Sequence, residues 1–396
     1  MDMERRTFLA GASGLLMAAA PPSKQVVLGV IGSGGRGTFV MKIFQSHAEL
    51  KIGAICDVYE PNLEQAISLA VKGGSRPKAY RHYKELLADK NIQAVLIATP
   101  EHWHYQMVMD AISAGKDIYI EKPLCRTPEE GVALVKAAEE SRCVIQVGMQ
   151  RRSYDLFLAA REVVASGTLG RVRMVRSWWL NNSLSTAPAT KLDGRLDWEQ
   201  WQGPTEHRPF DPNRFRNWRE YSEYSGGIVA DQGAHVFDGI HLLMKAGFPL
   251  AVNSSAGRVH KDKVDTPESV VVIAEYPEDF LAVFTINYAA MHYKPRNDQL
   301  NQLDGDQARL DIGREDFQVY HQGNDEPVIS QHSELGFSHA TDLHVANFLD
   351  CVQTRQEPTA PVRLGFQAAL VIQMANMALK QGRRLRWNAQ TRKVES

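Results

Sequence analysis

The sequence contains the run Val26-Val27-Leu28-Gly29-Val30-Ile31-Gly32-Ser33-Gly34-Gly35-Arg36-Gly37. Its first six residues are apolar, which is typical of a strand buried on both faces of a parallel sheet. The last six fit the pattern Gly-x-Gly-x-x-Gly and lead into a helical pattern. Asp57 follows 20 positions after Gly37, at the end of a second predicted strand, residues 51–56. This context predicts a dinucleotide-binding turn, and the alternative is a glycine turn without a ligand.

The residues of this turn have distinct predicted roles. Gly32 permits a tight turn, Gly34 lets the backbone approach a pyrophosphate, and Gly37 allows close packing of helix on strand. Free N–H groups at the helix start would bind the phosphates. Asp57 would accept hydrogen bonds from the adenosine ribose and repel a 2′-phosphate, so NAD is favoured over NADP. The cofactor-binding residues predicted here are Gly32, Ser33, Gly34, Gly35, Arg36, Gly37 and Asp57.

Predicted strands and helices alternate as far as residue 150. Further strands are predicted at 94–98, 117–120 and 143–147, and helices at 63–71 and 106–114. This alternation predicts an α/β protein whose residues 24–150 form a doubly wound parallel sheet.

The pattern changes after residue 150. A strand is predicted at 172–179, and strand patterns dominate from 251 to 320. Helical patterns lie at 155–165, 228–245, 340–353 and 365–381. Residues 151–396 are therefore predicted to form an α+β domain with a large open, mostly antiparallel sheet. A long segment rich in Trp, Arg and Pro, residues 180–224, lies between the predicted strand 172–179 and the predicted helix 228–245. Its aromatic content argues for a functional role rather than disorder.

The overall charge excludes two classes of partner. The chain has 45 Lys and Arg against 46 Asp and Glu, a net charge of -1. There is no basic surplus for nucleic acid and no polybasic run for a membrane surface. Such a balance fits a neutral small-molecule substrate. The four cysteines show neither Cys-x-x-Cys nor zinc spacing, so they are predicted to be reduced and structural: Cys56, Cys125, Cys143 and Cys351.

The first residues have the pattern of a targeting segment. Arg5-Arg6 precedes an apolar run, residues 9–20, which predicts a twin-arginine export signal of residues 1–23. The run is shorter than the roughly 20 apolar residues that span a bilayer, so no stable membrane anchor is expected. We expect a periplasmic or extracellular protein. The alternative is an ordinary N-terminus, and the cleavage site stays open because Pro21 follows Ala18-Ala19-Ala20.

Two motifs carry candidate catalytic residues. Lys122 lies between Glu121 and Pro123 at the carboxyl end of the strand 117–120, the edge at which open α/β sheets bind ligands. Asp231 and His235 stand four apart on a predicted helix, so they share one face and form a candidate proton relay. The alternatives are a surface lysine and a surface salt bridge or helix cap.

A third motif, Glu101-His102-Trp103-His104, follows the strand 94–98. Two histidines in one loop raise the question of a metal. However, no thiolate and no His-Glu-x-x-His pattern supports a metal site. We expect no metal, and a nicotinamide- or substrate-facing role for His104.

Together these motifs resemble the glucose-fructose oxidoreductase / inositol dehydrogenase / MocA (Gfo/Idh/MocA) superfamily. The resemblance implies an N-terminal Rossmann domain and a C-terminal domain whose open sheet makes contacts in a homodimer or homotetramer. It implies that the Lys122–Pro123 bond is cis and that the C-terminal helices pack back on the Rossmann domain. It also implies a catalytic role for Lys122, Asp231 and His235.

The resemblance extends the predicted site. It adds cofactor-binding residues, which are Thr99, Pro100, His104, Glu121, Lys122 and Gln150. Residues Arg151-Arg152 and the segment 198–224 resemble the exported, twin-arginine branch of the superfamily, where they are expected to shape a sugar site. The expected substrate-binding residues are Arg151, Arg152, Trp178, Trp218, Arg219 and Tyr293, and Trp103 and Trp179 are further candidates for stacking on a sugar.

The function that follows is oxidation of a sugar secondary alcohol by NAD. Free NAD is not expected outside the cytoplasm, so an exported enzyme would hold its NAD tightly and recycle it. A second sugar or ketone could be reduced in turn. Alternatively, oxidation could permit elimination of a glycosidic oxygen, water addition and return of the hydride, which is net hydrolysis. A non-catalytic sugar-binding protein is a further alternative.

Overall fold

The computed structural model describes residues 25–181, 191–259, 264–290 and 299–396. The predicted export signal, residues 1–23, and the predicted substrate-binding residue Tyr293 lie outside the described residues.

The N-terminal part of the described chain alternates strands and helices. They are β1 (Val26–Ile31), α1 (Gly35–Gln45), β2 (Leu50–Cys56), α2 (Glu60–Lys72), β3 (Lys78–Tyr80), α3 (Tyr83–Ala88), β4 (Ala94–Ile97), α4 (His104–Ser113), β5 (Asp117–Ile120), α5 (Pro128–Glu140) and β6 (Ile145–Val147). The strands form one parallel sheet in the order β3-β2-β1-β4-β5-β6, which confirms the predicted doubly wound sheet. The sequence did not predict β3, because its three residues are largely exposed and show no apolar pattern.

The C-terminal part is built around a second sheet. Its elements are α6 (Asp155–Ala165), β7 (Met174–Leu180), α7 (Trp198–Gln202), α8 (Pro212–Arg216), α9 (Gly227–Met244), β8 (Ala251–Ala256), β9 (Ser269–Glu275), β10 (Leu281–Asn287), β11 (Gln299–Asp304), β12 (Ala308–Ile312), β13 (Asp316–His321), β14 (Ile329–His332), α10 (Gly336–Thr354), α11 (Val362–Gln381), β15 (Leu385–Asn388) and β16 (Lys393–Glu395). The ten strands have the order β14-β13-β12-β11-β7-β10-β9-β8-β15-β16. All neighbours are antiparallel except β7 and β10, which confirms a large, mostly antiparallel sheet.

The two faces of this sheet differ. Helices α9 and α11 pack against one face, where Val272, Phe284 and Ile372 are buried. On the other face, Val271 and Ile273 of β9 alternate with buried neighbours and remain exposed. The described part of the sheet therefore has one covered and one open face.

The last long helices also contact the N-terminal sheet. Phe348 of α10 packs edge-on against Phe44 of α1 and Tyr119 of β5, with ring centroids 5.9 and 5.8 Å apart. Helix α11 meets α5, where a Cβ on Gly131 would stand 2.0 Å from the Phe366 ring. These contacts join the two parts of the chain into a shared core.

One described helix, α11, is long and apolar enough to cross a membrane by length and composition. Most of it is buried against α9, α5 and β8. It is therefore a core helix of this fold.

Candidate active site

A cavity of about 620 Å³ opens at the carboxyl edge of the parallel sheet. It is lined by the loops that follow β1, β2, β4 and β5 and by the first turns of α9. The lining residues include Gly32, Gly34, Gly35, Arg36, Asp57, Thr99, Pro100, His104, Glu121, Lys122, Gln150, Asp231 and His235. The two motif groups predicted from distant parts of the sequence thus meet in one cavity.

The glycine turn has the geometry that its predicted roles require. Gly32 has a φ of +83°, and a Cβ there would stand 2.8 Å from the carbonyl carbon of Ala98. A Cβ on Gly37 would stand 2.0 Å from the Gly32 carbonyl oxygen. In contrast, nothing lies within 4 Å of a Cβ on Gly35, the first residue of α1. Tight backbone packing on one side and an open helix N-terminus on the other form a cradle suited to a phosphate.

Substitution of Gly37 by alanine is expected to lower the free energy of unfolding by about 3 kcal/mol, because the methyl group meets a backbone oxygen that cannot move aside. A urea titration would measure the effect. Gly35→Ala is the matched control, since its methyl group meets only open space and stability should hold. Equal stability of the two variants would contradict the packing role of Gly37.

Asp57 ends β2 beside this cradle. Its Oδ2 accepts hydrogen bonds from the Ser33 backbone N–H at 2.7 Å and the Ser33 hydroxyl at 3.1 Å, and its Oδ1 accepts one from the Tyr59 N–H at 2.8 Å. Burial raises the pKa of Asp57, although these hydrogen bonds oppose the rise. The carboxylate is thus held in the cavity wall, where a ribose would meet it.

The residues present fit a dinucleotide. The cavity combines a glycine cradle at a helix N-terminus with a fixed carboxylate at the end of the next strand. Arg36 adds a guanidinium whose Nη2 is buried without a hydrogen-bond partner in the described part of the chain. Its Nε donates to Glu121 at 2.8 Å, so the pair keeps a free donor next to the cradle.

The adenosine-side wall comes from the Trp-rich segment. We call it the aromatic wall: Gln200, Trp201, Phe215 and Arg216, which all line the cavity. Arg216 lies over the Tyr59 ring at 5.2 Å and donates to its hydroxyl at 3.1 Å. Backbone hydrogen bonds of 2.9 Å join Asp197 to Val58 and Glu60 to Arg195. The segment that carries the wall is therefore attached to the loop after Asp57, an arrangement that sequence reasoning missed.

Lys122 contacts Asp231 directly. Its Nζ donates to the Asp231 Oδ1 at 2.9 Å and to the Asp231 carbonyl oxygen at 2.5 Å, and the Lys122–Pro123 peptide bond is cis. Burial alone would raise the pKa of Asp231, but the charges of Lys122 and Arg219 hold it below its usual range. Asp231 is therefore a carboxylate, and one of the three Lys122 N–H donors remains for a substrate oxygen.

His235 lies one turn further along α9. Its ring stacks on that of Trp179, with centroids 6.4 Å apart and an interplanar angle of 24°. Burial, then the charges of Lys122 and Arg151, hold the pKa of His235 well below its ordinary value. The imidazole is consequently neutral near pH 7 and able to accept a proton.

His104 is buried behind Lys122. Its Nδ1 lies 2.7 Å from the Pro123 carbonyl oxygen and its Nε2 lies 3.0 Å from the Thr99 carbonyl oxygen. Both nitrogens thus contact the backbone, and the ring braces the loops after β4 and β5. Gln150 and Pro100 also line the cavity.

The structure separates the predicted substrate-binding residues into two sets. Trp218 and Arg219 line the cavity. Arg151 and Arg152 are buried and do not line it, because Arg151 donates to the His235 carbonyl oxygen at 3.1 Å and Arg152 pairs with Asp238 at 2.5 Å. Trp178 alternates with the cavity-lining Trp179 along β7 and therefore points to the opposite face of the sheet.

Sequence reasoning missed several contacts of the catalytic helix. The buried Glu101 accepts hydrogen bonds from the Ser225 hydroxyl at 2.8 Å and the Gly226 N–H at 2.9 Å, which attaches the start of α9 to the loop after β4. Gln232 donates to the Asp231 Oδ2 at 3.0 Å, and the Tyr288 hydroxyl lies 3.3 Å from the same oxygen. Glu101 and Ser225-Gly226-Gly227 are far apart in the sequence. No motif or regular spacing links them, so the sequence alone does not predict their contact.

No group of three or more His, Cys, Asp or Glu side chains among the described residues is placed to hold a metal ion. His102, the other histidine of the loop after β4, has its Nε2 2.8 Å from the Trp201 carbonyl oxygen. It is therefore turned toward the aromatic wall, away from the contacts of His104.

Two family profiles match this chain. One is described as an oxidoreductase family with an NAD-binding Rossmann fold and covers residues 26–149, and the other is the GFO/IDH/MocA C-terminal domain and covers residues 204–311. Together they span more than half of the 396 residues. The chain belongs to the Gfo/Idh/MocA oxidoreductase family. Its N-terminal domain is the NAD-binding Rossmann domain of that family.

Curated relatives match only part of their length. An uncharacterized oxidoreductase of Synechocystis is 28% identical over 64% of this chain and 61% of its own. Glycosyl hydrolase family 109 protein 1 of Shewanella is 35% identical over 39% of this chain and 34% of its own. The mouse trans-1,2-dihydrobenzene-1,2-diol dehydrogenase is 27% identical over 54% of each. The matched region thus spans about a third to three fifths of these relatives.

Solved structures share the fold over almost the whole chain. A levoglucosan dehydrogenase in complex with NADH and levoglucosan has a TM-score of 0.72 and 19% identity, and the match covers 91% of this chain and 99% of that one. An oxidoreductase domain protein from Kribbella flavida has a TM-score of 0.73 and 20% identity, with coverage of 91% and 98%. At this identity the likeness shows the shared two-domain fold.

Proposed function

We propose that the protein oxidises a secondary alcohol of a sugar or glycoside with a tightly held NAD. The observation that carries the proposal is the Lys122–Asp231 ion pair beside the neutral His235, in the same cavity as the glycine cradle. An ammonium and an unprotonated imidazole side by side suit the removal of a proton from an alcohol whose oxygen becomes negative.

Each catalytic side chain has a distinct part. Lys122 Nζ donates its remaining hydrogen bond to the sugar oxygen and stabilises the negative charge that develops there. The unprotonated ring nitrogen of His235 accepts the hydroxyl proton. Asp231 holds the Lys122 ammonium in place through the 2.9 Å contact. When bound, NAD⁺ supplies the acceptor for the hydride that leaves the sugar carbon. Trp179, stacked on His235, offers an aromatic face to the sugar ring.

Retention of NAD is the second part of the proposal. The aromatic wall lines the cavity next to Asp57, and backbone hydrogen bonds join the segment that carries it to the Asp57 loop, which supports slow release. Residues 1–23 would direct twin-arginine export after the cofactor is loaded, so a periplasmic or extracellular protein would need such retention. A homodimer or homotetramer would use the open face of the large sheet, where Val271 and Ile273 are exposed.

A second candidate is net hydrolysis of a glycoside through the same oxidation. It is favoured by the match to a relative named as a family 109 glycosyl hydrolase, at 35% identity. In this alternative the oxidised sugar eliminates its glycosidic oxygen, water adds, and the hydride returns. The catalytic residues would be the same, and only the fate of the sugar differs.

One experiment separates these functions. The purified protein, dialysed without added NAD, is incubated with nitrophenyl glycosides and the products are identified by mass spectrometry. Bound nicotinamide, its reduction and an oxidised sugar would support the dehydrogenase. Phenol release without an acceptor would support the hydrolase. A protein that needs millimolar free NAD would contradict retention, and sugar binding without any turnover would identify a non-catalytic protein.

The pH profile tests the protonation state of His235. Because its pKa is held well below the ordinary value of about 6.5, the base stays unprotonated as the pH falls through neutrality. Activity that depends on His235 should therefore be constant from about pH 8 to about pH 6.5 and decline only below that range. The rate of nicotinamide reduction in a single turnover measures this. An acid limb with its midpoint above pH 6.5 would contradict a neutral base.

A further inference from the structure

The sugar side of the cavity carries more positive than negative charge. Among the described lining residues there, Lys122, Arg219 and Arg314 are positive, and Asp231 is the carboxylate that contacts two of them. Glu101 also lines the cavity, but its carboxylate accepts hydrogen bonds from Ser225 and Gly226. Asp231 contacts Lys122 at 2.9 Å and Arg219 at 3.4 Å, so it is shared between two cations. Glu121 also lines the cavity, but it is paired with Arg36 at 2.8 Å.

The wall behind the base is positive as well. Arg151 is buried and donates to the His235 carbonyl oxygen. The nearby Asp238 carboxylate forms its ion pair with Arg152, so two arginines share one carboxylate and one positive charge remains. Burial lowers the pKa of Arg151 to about 10, which leaves the guanidinium charged at neutral pH. A neutral substrate would leave this local surplus uncompensated, even though the whole chain is nearly neutral.

Arg314 is placed to bind an anion. It lies between β12 and β13, is exposed to the cavity, and stacks over the Phe337 ring at 5.2 Å. No residue in the described ranges forms a hydrogen bond or ion pair with it. The guanidinium lies over the ring and has no other partner in the described ranges, so its N–H groups are available to a carboxylate, which an arginine can bind in a bidentate manner.

The pairing of β11 with β7 places Arg314 on the same side of the cavity as Trp179 and His235. Gln299 of β11 pairs with Trp179 of β7, and both line the cavity with Phe337 and Arg314. Trp179 stacks on His235. Gly313, next to Arg314, lies against Gln299, since a Cβ there would stand 3.6 Å from the Gln299 carbonyl oxygen. Arg314 is therefore on the same side of the cavity as Trp179, where a sugar with its hydroxyl at His235 would lie.

We propose that the sugar oxidised at this site carries an oxyanion, in the form of a hexuronate carboxylate, and that Arg314 binds this group. This inference rests on the proposed function, since it names the class of sugar. The net charge of -1 suggested a neutral substrate. The residues that line the cavity decide the charge of the substrate, and there positive side chains are in excess among the described residues.

Matched substrate pairs test the proposal on the holoenzyme. The pairs are 4-nitrophenyl β-D-glucoside with the β-D-glucuronide, and 4-nitrophenyl α-D-galactoside with the α-D-galacturonide. Nicotinamide reduction and phenol release are both followed. We expect the second-order rate constant, which is kcat/KM for phenol release or its single-turnover equivalent for nicotinamide reduction, to be at least about 10-fold higher for the acidic member of the reactive pair, the value of one charged hydrogen bond. The preference should shrink as salt is added. A 6-O-sulfated glucoside distinguishes a carboxylate site, which favours the uronide, from a site for any oxyanion.

Substitutions identify the residue responsible. Arg314→Gln should lower kcat/KM for the uronide about 10-fold, mainly through KM, and Arg314→Lys should lose part of the effect by removing the bidentate edge. The control is Arg386→Gln, an exposed arginine of β15 outside the cavity, which should keep the preference. Equal kcat/KM for neutral and acidic sugars, or a preference that survives Arg314→Gln, would overturn this inference alone. No nicotinamide reduction with any sugar would overturn the proposed function itself.

Discussion

Lys122→Met should lower sugar-dependent turnover roughly 100- to 1,000-fold, the usual cost of removing a donor that stabilises a developing oxyanion. The substitution keeps the length of the side chain but removes the charge that faces the sugar oxygen and Asp231. NAD should stay bound, because the glycine cradle and Asp57 are unchanged. Initial rates with the best glycoside, together with the nicotinamide content of the purified variant, measure both outcomes.

Two further variants keep this prediction decisive. Lys136→Met is the matched control, since Lys136 is an exposed residue of α5, outside the cavity lining, that forms an ion pair with the exposed Glu140 at 3.9 Å. Lys122→Arg restores a positive charge if the loss of charge beside Asp231 disturbs folding. Near-normal turnover of Lys122→Met with NAD bound would remove Lys122 from the mechanism.

His235→Asn should lower turnover roughly 100- to 10,000-fold, which is the range for loss of a general base. The remaining activity should also lose its acid limb, because no imidazole would then titrate at the sugar hydroxyl. His321→Asn, an exposed histidine of β13, is the control and should behave as the parent protein. A His235→Asn variant that retains most of its turnover and the same acid limb would assign the base to another group.

The parallel sheet was predictable because each strand carries its own signal. Buried parallel strands read as short apolar runs, and the glycine turn adds a backbone requirement that Gly32 and Gly37 satisfy by close contact. The three residues of β3 carry no such signal. The large antiparallel sheet was predictable from strand alternation, but its order was not, since β7 pairs with β10 and β11 across more than a hundred residues.

The arrangement of the candidate site was harder to predict from the sequence than the fold. Lys122 and Asp231 are 109 positions apart, so only the joint resemblance of the motifs brought them together. Arg151 and Arg152 were predicted to bind the substrate, yet both are buried outside the cavity lining, because they bind the His235 carbonyl oxygen and Asp238. Arg314 lies in a short connection between two strands without any motif, and only the folded sheet places it at the cavity.

The Trp-rich segment shows a similar division. Its aromatic content indicated order, and its short helices α7 and α8 begin with Asp197 and Asp211, each of which accepts a helix N–H as a cap. The position of this segment depends on contacts with the loop around Tyr59, more than 130 residues earlier in the chain. One of these contacts is the hydrogen bond from Arg216 to the Tyr59 hydroxyl. Local sequence holds no information about that partner.

The most direct test of the account is a single-turnover measurement on the dialysed protein without free NAD. Addition of an acidic or neutral glycoside from the panel should reduce the bound nicotinamide in an amount equal to the protein sites, and Lys122→Met should slow this reduction roughly 100- to 1,000-fold. A protein that holds no nicotinamide, or whose nicotinamide stays oxidised with every sugar, would contradict the account.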